Sequence, residues 1–381
     1  MADKERLSLR FLLVAFFVLL AAMIFAGLYP FNFFPPNRVQ WIQNEPGLYF
    51  DGHGIAYTDR NKPISLKQAV SVELLLKERS GSKNWGPKEI FSFYNGDVSP
   101  SLLVGEWDSR IYIYSRFEKD EGHKWYRQFR TKHRFPKGKT HLLTITFDGN
   151  EKAIYIDGKL SNRINVKLKD RTQIEFSGGF LLGNSPRGKN GWRGEIKGLA
   201  VYNRILLPDE ILKHSIKVLQ KGVLSLVETP GCLALYPFNE GDGNTVKSIL
   251  GKPISFFIPV RLNALSLTVL SLPYKDMRFY DFNKKDFEKN ILFFVPFGIL
   301  LTAIILKKYV TCYFPTLLIV PLAAGVFSFV IEYLQLFLPT RYTGMADIFS
   351  NILGSGLGML VTFIILKYKN SLLRSHFQDG I

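Results

Sequence analysis

Within "FVIEYLQLFLPTRYTGMADIFSNILGSGLG" (residues 329–358), Glu332, Gln335, Arg341, Asp347 and Asn351 interrupt an otherwise apolar run. Two carboxylates so placed can act as acid or base on a polar group, and the carboxamides can supply neutral hydrogen bonds. Arg341 lies between the acids in sequence and can neutralise either one. At about 100° per residue, Ser328, Glu332 and Gln335 share one arc of a helix, and Asp347, Asn351, Gly354 and Gly358 share an arc of the next. Exposing an acid to lipid costs about 2.5 kcal/mol or more on insertion scales, so both stripes must turn inward. The spacing of Gly354 and Gly358, with Ser350 one turn earlier, lets another helix approach closely. Two readings stand. One is an outward-facing pocket that holds a polar headgroup or transfers a proton on one, with Glu332 and Asp347 as the catalytic candidates. The other is a hydrogen-bonded network that only fixes helix packing.

The elements carrying these residues must be membrane spans. The chain of 381 residues is 47% hydrophobic, and its apolar residues gather in blocks at 11–29, 291–306, 315–338 and 345–366. A span needs roughly 20 such residues to cross about 30 Å of hydrocarbon, so the second block must borrow from its flanks. Lys4, Arg6 and Arg10 precede the first block, Lys307 and Lys308 separate the second from the third, and Lys367, Lys369 and Arg374 follow the fourth. With four spans these groups share one side, which the positive-inside rule makes cytoplasmic. The expected address is the inner (cytoplasmic) membrane, with both termini cytoplasmic and residues 31–290 extracytoplasmic. Residues 11–29 also loosely fit a signal peptide cleaved near Ala26, but the long apolar run and the large residues beyond it favour an uncleaved anchor. A rise of about 1.5 Å per residue then puts Glu332, Gln335, Asp347 and Asn351 in the outer leaflet, level with Asn290 at the mouth of the second span. Those five residues and Arg341 form the candidate pocket.

The formal net charge is +17. Residues 31–290 hold 40 Lys and Arg against 27 Asp and Glu, a balance of +13. That excess keeps a surface soluble, and it also attracts anionic glycans or lipid headgroups. Nucleic acid is set aside as a partner, because this segment faces away from the cytoplasm. Cys232 falls in the outer segment and Cys312 near the inner face, so no intramolecular disulfide is expected.

Between the first two spans the pattern changes to short, aromatic-rich alternating runs such as "SRIYIYSRF" (109–117), "THLLTITFDG" (140–149) and "AIYIDGKL" (153–160). These read as half-buried strands joined by Asp-Gly turns, and an antiparallel all-β sandwich follows. Pro208, Asp209, Glu210 and Gly222 predict one helix over 208–221. "GLYFDGHGIAY", "HLLTITFDGNEKAIYIDGKL" and "FLLGNSPRGKNGWRGEIKGLAVYNRILLPDEI" resemble successive pieces of the laminin-G-like, or concanavalin A-like, jelly roll. That resemblance, over 47–212, implies sugar binding, sometimes with calcium. "LALYPFNEGDGNTVKSILG" (233–251) resembles the segment that usually opens such domains, and is either a permuted strand or the remnant of a second copy. The glucanase members carry a Glu-x-Asp-x-x-Glu run, which this chain lacks. Glu195 stands alone, with Lys197 where a second acid would help, so glycoside hydrolysis is disfavoured.

"RFEKDEGHKWYRQFRTKHRFPKGK" (116–139) interleaves nine Lys or Arg with aromatic residues. Trp125, Tyr126, Arg127 and Arg130 are the glycan-binding candidates, since rings stack on sugars and cations attract anionic substituents. The plainer reading is a solvated edge hairpin whose charges block aggregation. Asp51 is either a calcium ligand or a turn former, and His53, His123, His133 and His141 show no metal-ligand spacing.

"LYPFNFF", "DFEKNILFFVPFGILL", "IEYLQLFLPTR" and "DIFSNILGSGLG" resemble, in order, the motifs of the VanZ-like membrane family, whose named member is associated with resistance to glycopeptide antibiotics. The family's acidic and amide motif residues map onto Glu332, Gln335, Asp347 and Asn351. The expected organisation is a VanZ-like four-helix transmembrane domain (11–29 and 286–368) interrupted by a jelly roll at 40–255 and a connector at 256–285. The expected partners are the membrane and an envelope glycan or lipid-linked sugar. Retention or sensing of envelope glycan is one functional reading; an intramembrane enzyme on a lipid-linked precursor and a non-catalytic scaffold are the others.

Overall fold

A computed structural model describes residues 2–59, 64–67, 69–79, 86–94, 100–117, 129–166, 175–186, 188–250, 254–262, 284–309, 313–338, 341 and 343–378. The chain divides into two compact units, Met1–Phe33 with Leu267–Ile381, and Phe34–Ser266. Among the described residues the helices are α1 (Ala2–Leu28), α2 (Pro208–Lys221), α3 (Lys284–Lys308), α4 (Tyr313–Gln335) and α5 (Met345–Gln378).

The second unit is the expected sandwich of two antiparallel sheets. One sheet runs β1 (Gln40–Trp41), β2 (Leu48–Asp51), β13 (Arg193–Tyr202), β5 (Val70–Glu78), β9 (His141–Phe147), β10 (Glu151–Ile156) and β11 (Lys159–Asn165), and β14 (Cys232–Tyr236) also pairs with β13. The other runs β15 (Thr245–Lys247), β16 (Ser255–Phe257), β3 (Ala56–Thr58), β12 (Glu175–Leu182), β6 (Lys88–Tyr94), β7 (Leu102–Trp107) and β8 (Arg110–Tyr114), and β4 (Ile64–Lys67) also pairs with β12. Alternate residues of both sheets fill the layer between them with rings, among them Phe91, Phe93, Phe147, Phe176, Phe180 and Tyr236. Phe93 and Phe180 meet edge to face at 5.1 Å, and so do Phe147 and Phe176 at 5.2 Å. Such pairs add about 0.5–1.5 kcal/mol each beyond the area they bury.

The first sheet is covered on its outer face too. Leu142, Tyr155, Ala200 and Tyr202 pack there against Ile211 and Val218 of α2 and against Val223 and Leu226. Central strands such as β5 and β9 are consequently buried on both faces. The helix has the bounds expected from its termini. Glu210 reaches back to the Leu207 N–H at 2.9 Å and takes both Arg204 Nη atoms at 2.8 Å, which ties the first turn to the strand before it.

Of the run 233–251, the described residues 233–250 complete this sandwich and do not begin a second copy. β14 lies along Leu199–Tyr202 of β13, on the edge that β2 occupies at Arg193–Ile196, so the two short strands share one edge end to end. The sandwich also runs past the boundary expected at 255. Phe256 pairs with Thr58 and is fully buried against Phe180 and Tyr236, and Arg261 bridges Pro36. A run that reads as a connector is therefore a strand up to Phe257, because Phe256 has a slot in the core.

The first unit is discontinuous in sequence. Among the described residues, four helices are long and apolar enough to cross a membrane: Ser8–Leu28, Lys285–Lys308, Tyr313–Gln335 and Met345–Tyr368. Met23 of α1 packs with Phe294 and Phe297 of α3 and Ala324 of α4. The closest approach is between α3 and α5, where glycines remove the side chains that would hold them apart. A methyl group on Gly354 would lie 2.2 Å from the Ile291 carbonyl oxygen, one on Gly358 2.1 Å from that of Val295, and one on Gly298 2.0 Å from that of Ser355. Gly354→Ala or Gly358→Ala is expected to cost about 1–3 kcal/mol through overpacking. Gly356, with no neighbouring atom within 4 Å of such a methyl, serves as the control. Its alanine variant should be neutral or stabilised by roughly 0.5–1 kcal/mol. Unfolding of the full-length protein in detergent measures the difference, and equal effects at 354 and 356 would remove the packing explanation.

Candidate functional site

Polar side chains of α3, α4 and α5 meet the last carbonyls of α1 at one end of the bundle, where α1 and α4 finish and α3 and α5 begin. Glu332, only 5% exposed, accepts the Gly344 N–H at 3.1 Å. That N–H belongs to the start of α5, where the first amides have no partner within the helix and the dipole favours negative charge. One turn into α5, Asp347 accepts from the Asn290 carboxamide of α3 at 2.6 Å. One turn deeper, the Asn351 carboxamide donates to Ser328 Oγ of α4 at 2.8 Å. Gln335 donates to the Gly27 carbonyl at the end of α1, at 2.9 Å. Glu332, Gln335, Asp347, Asn351 and Asn290 are thereby gathered at one end of the bundle.

The hydrogen bonds of Arg341 run to backbone carbonyls. Its Nη2 donates to the carbonyls of Ala26 and Tyr29, at 3.1 and 3.0 Å. The last carbonyls of a helix lack amide partners and carry the negative end of its dipole, so a cation there satisfies both. The glycine stripe also serves a different neighbour. Gly354 and Gly358 seat α5 on α3, while Asn351 and Ser328 make the contact with α4.

In the sandwich, Trp125, Tyr126 and Arg127 lie outside the described residues. Residues 129–131 cross its open side: Phe129 O and the Thr131 N–H bond to Ile113 and Ile111 of β8, and Asn162 of β11 donates to the Arg130 carbonyl at 2.7 Å. Phe129 and Phe135 are buried in the core, and Phe129 lies 4.9 Å from the ammonium of the buried Lys152. Phe129 and Phe135 of this basic segment are therefore structural, whereas Arg130 keeps a half-buried side chain beside the undescribed residues. Glu195 is surrounded by cations, with Arg79 Nη2 at 2.5 Å, Lys197 at 3.5 Å and Lys77 at 3.9 Å. Asp51 closes its own turn by accepting the His53 N–H at 2.8 Å. Among the described residues no group of three or more His, Cys, Asp or Glu is arranged to hold a metal ion.

One cluster has no sequence signature. Glu106 of β7 accepts the indole N–H of the buried Trp192 at 3.0 Å, and Glu89 of β6 accepts from Asn190 at 2.8 Å. Glu78 of β5 pairs with Lys137 at 3.2 Å. Burial pushes Glu89 up to about 7, and burial together with the charge of Glu78 pushes Glu106 up to about 7. Glu78 and Glu106 come from different sheets, far apart in the chain, and only the fold brings them together, while Glu89 is held by Asn190.

Residues 51–212 match the family model of the concanavalin A-like lectin/glucanases superfamily, and residues 241–366 match that of VanZ/LLP1. The chain carries both modules. α1 precedes both matched segments, although it packs as part of the helical unit that contains the VanZ-like spans. Among solved structures, the chain is similar to a Bacteroides ovatus protein provisionally described as carbohydrate binding, at 11% identity, covering 56% of this chain and 59% of that one with a TM-score of 0.39. It is also similar to a heptameric SAP-like pentraxin from Limulus polyphemus, at 12% identity over 48% of this chain and 80% of that one, with a TM-score of 0.32. Trypanosoma rangeli sialidase matches at 14% identity over 47% of this chain and 28% of that one, with a TM-score of 0.35. The chain thus spans less than two thirds of the first of these relatives. A comparison with curated proteins found no match.

The buried acids of the sandwich set a pH dependence. Glu89 releases its proton near 4.5 when unfolded and near 7 when folded. Between those values the folded state binds more protons, so stability falls as pH rises through the window and levels off above it. The loss for this group is on the order of 3 kcal/mol. Glu89→Gln should flatten that part of the profile and stabilise the sandwich at pH 8, as read by denaturant unfolding of the full-length protein across pH 5 to 8.5. An unchanged profile in the variant would exclude Glu89 as its source.

Proposed function

We propose that the protein is a non-catalytic membrane protein of the cell envelope that retains or senses glycan through its lectin-like sandwich and holds a lipid headgroup at the polar end of its VanZ-like bundle. The observation that carries this reading is the convergence of Glu332, Gln335, Asp347, Asn351 and Asn290 from three spans onto one bundle end, with Gly27 of the fourth. Intramembrane ionisable groups are costly and are kept where they contact a ligand or one another. The chain leaves α1 and enters α3 at this same end, so the inserted residues belong to the side of the membrane on which the polar groups lie. Lys307, Lys308 and Lys367 cluster at the opposite end, which supports cytoplasmic termini and an extracytoplasmic 31–290.

For the sandwich, the family match and the balance of +13 over 31–290 support an anionic envelope glycan as partner. Glu195 is committed to three cations, which supports binding over hydrolysis. Full-length protein in nanodiscs should bind members of an anionic glycan array, assayed with and without calcium. Trp125→Ala and Arg127→Ala should each weaken binding tenfold or more, while Glu332→Gln leaves it unchanged. A blank array in both conditions would remove the lectin function, and turnover of a lipid-linked sugar that is lost in Glu332→Gln would replace binding by catalysis.

A further inference from the structure

The proposed headgroup site also has a chemistry that selects its occupant. Glu332 is 5% exposed, its hydrogen bond comes from a neutral backbone N–H, and it forms no ion pair among the described residues. A buried carboxylate with no ion-pair partner is unfavourable as an anion, and a cation arriving beside it stabilises the charge. Asn351 is 8% exposed, and although its Nδ2 is bonded to Ser328, its Oδ1 has no partner. Ser328 lies one turn below Glu332 on α4, and side chains four residues apart on a helix start about 5–6 Å from each other. The carboxamide held by Ser328 therefore opens an acceptor one turn beneath the Glu332 carboxylate, on the seam between α4 and α5. Asp347, one turn above Asn351 on α5, adds a second acid on the same seam.

The residue that would have drawn an anion is engaged elsewhere. Arg341 Nη2 is held by the carbonyls of Ala26 and Tyr29, whereas the α4–α5 seam itself contributes carboxylates and a carboxamide oxygen. A primary ammonium is the complementary group. It carries one positive charge and three N–H donors with no acceptor, and it can bond to a carboxylate and an amide oxygen at once. A quaternary ammonium has the charge without the donors, and a glycerol headgroup has donors but arrives with a phosphate charge and no cation.

Resting on the reading that this end of the bundle takes a headgroup, we propose that it is a receptor for the primary amine of a lipid headgroup, held between the Glu332 carboxylate and the Asn351 carboxamide. Full-length protein in maltoside detergent would be titrated with short-chain phosphatidylethanolamine, phosphatidylcholine and phosphatidylglycerol, with the unfolding temperature as readout. The ethanolamine lipid should raise it saturably, and the other two should bind at least tenfold more weakly. Glu332→Gln should lose that response tenfold or more. Asn351→Asp, which adds charge at the second acceptor, should tighten ethanolamine binding several-fold, and it keeps the test decisive if Glu332→Gln does not fold. Arg341→Gln should keep the preference for the amine. Equal binding of the three lipids, or a preference for the glycerol headgroup, would overturn the ammonium assignment and leave the headgroup site standing. No response to any of them would remove the site itself.

Discussion

The backbone contact between α3 and α5 fixes the geometry of the membrane unit. Where Gly298, Gly354 and Gly358 face the carbonyls of Ser355, Ile291 and Val295, the helices come closer than side chains would allow. In lipid, association has little hydrophobic drive, and close van der Waals packing between helices has to supply it. The contact also sets the register of α5 against α3, which is what brings Asp347 to Asn290. With α5 placed, its first amide is available to Glu332 of α4, and the turn between α4 and α5 carries Arg341 to the end of α1. One run of small residues thus determines where the polar groups of four spans are brought together.

The inserted sandwich is accommodated by the same geometry. α1 ends and α3 begins at one end of the bundle, so a long insertion between them leaves the helix packing untouched. Within the sandwich, β14 and β15 return after α2 to fill one place in each sheet, which brings the chain back through both layers. Because α2 covers the outer face of the first sheet, Glu73 can be buried there against Tyr202 and His214, at 2.8 and 3.1 Å. The polar link joins helix to sheet where apolar packing alone would leave the helix free to slide.

Much of this is legible in the sequence, and the failures have physical causes. Spans, strands and the helix at 208–221 follow from local periodicity and end signals, which depend on neighbours a few residues away. Which arc of α4 and α5 is polar is equally local. The partner of Arg341 is not, since the carbonyls of Ala26 and Tyr29 are over three hundred residues distant and every helix end presents the same chemistry. Glu78, Glu89 and Glu106 read as ordinary strand acids for the same reason. Their surroundings, with Trp192 against Glu106 and Asn190 against Glu89, come from distant parts of the chain, and no spacing rule encodes that. Phe129 and Phe135 mislead in the opposite direction, because a ring in a basic run looks like a sugar platform until the strap it belongs to is seen to cross the core.

The buried acids of this protein divide by the charge of their partners, and the division separates structure from candidate function. Glu195 is held by Arg79, Lys77 and Lys197, and the half-exposed Glu210 by Arg204 in two hydrogen bonds. In both cases the charge is compensated in place, and nothing further is needed for the fold to keep it. Glu89 and Glu106 are met by a carboxamide and an indole, which are neutral, so each retains its proton towards neutrality and reports pH. Glu332 is met by one backbone N–H at a helix start. A helix terminus offers about half a charge at most, which falls short of balancing a carboxylate taken out of water. A cation bound at this end of the α4–α5 seam, as proposed, would supply the remainder.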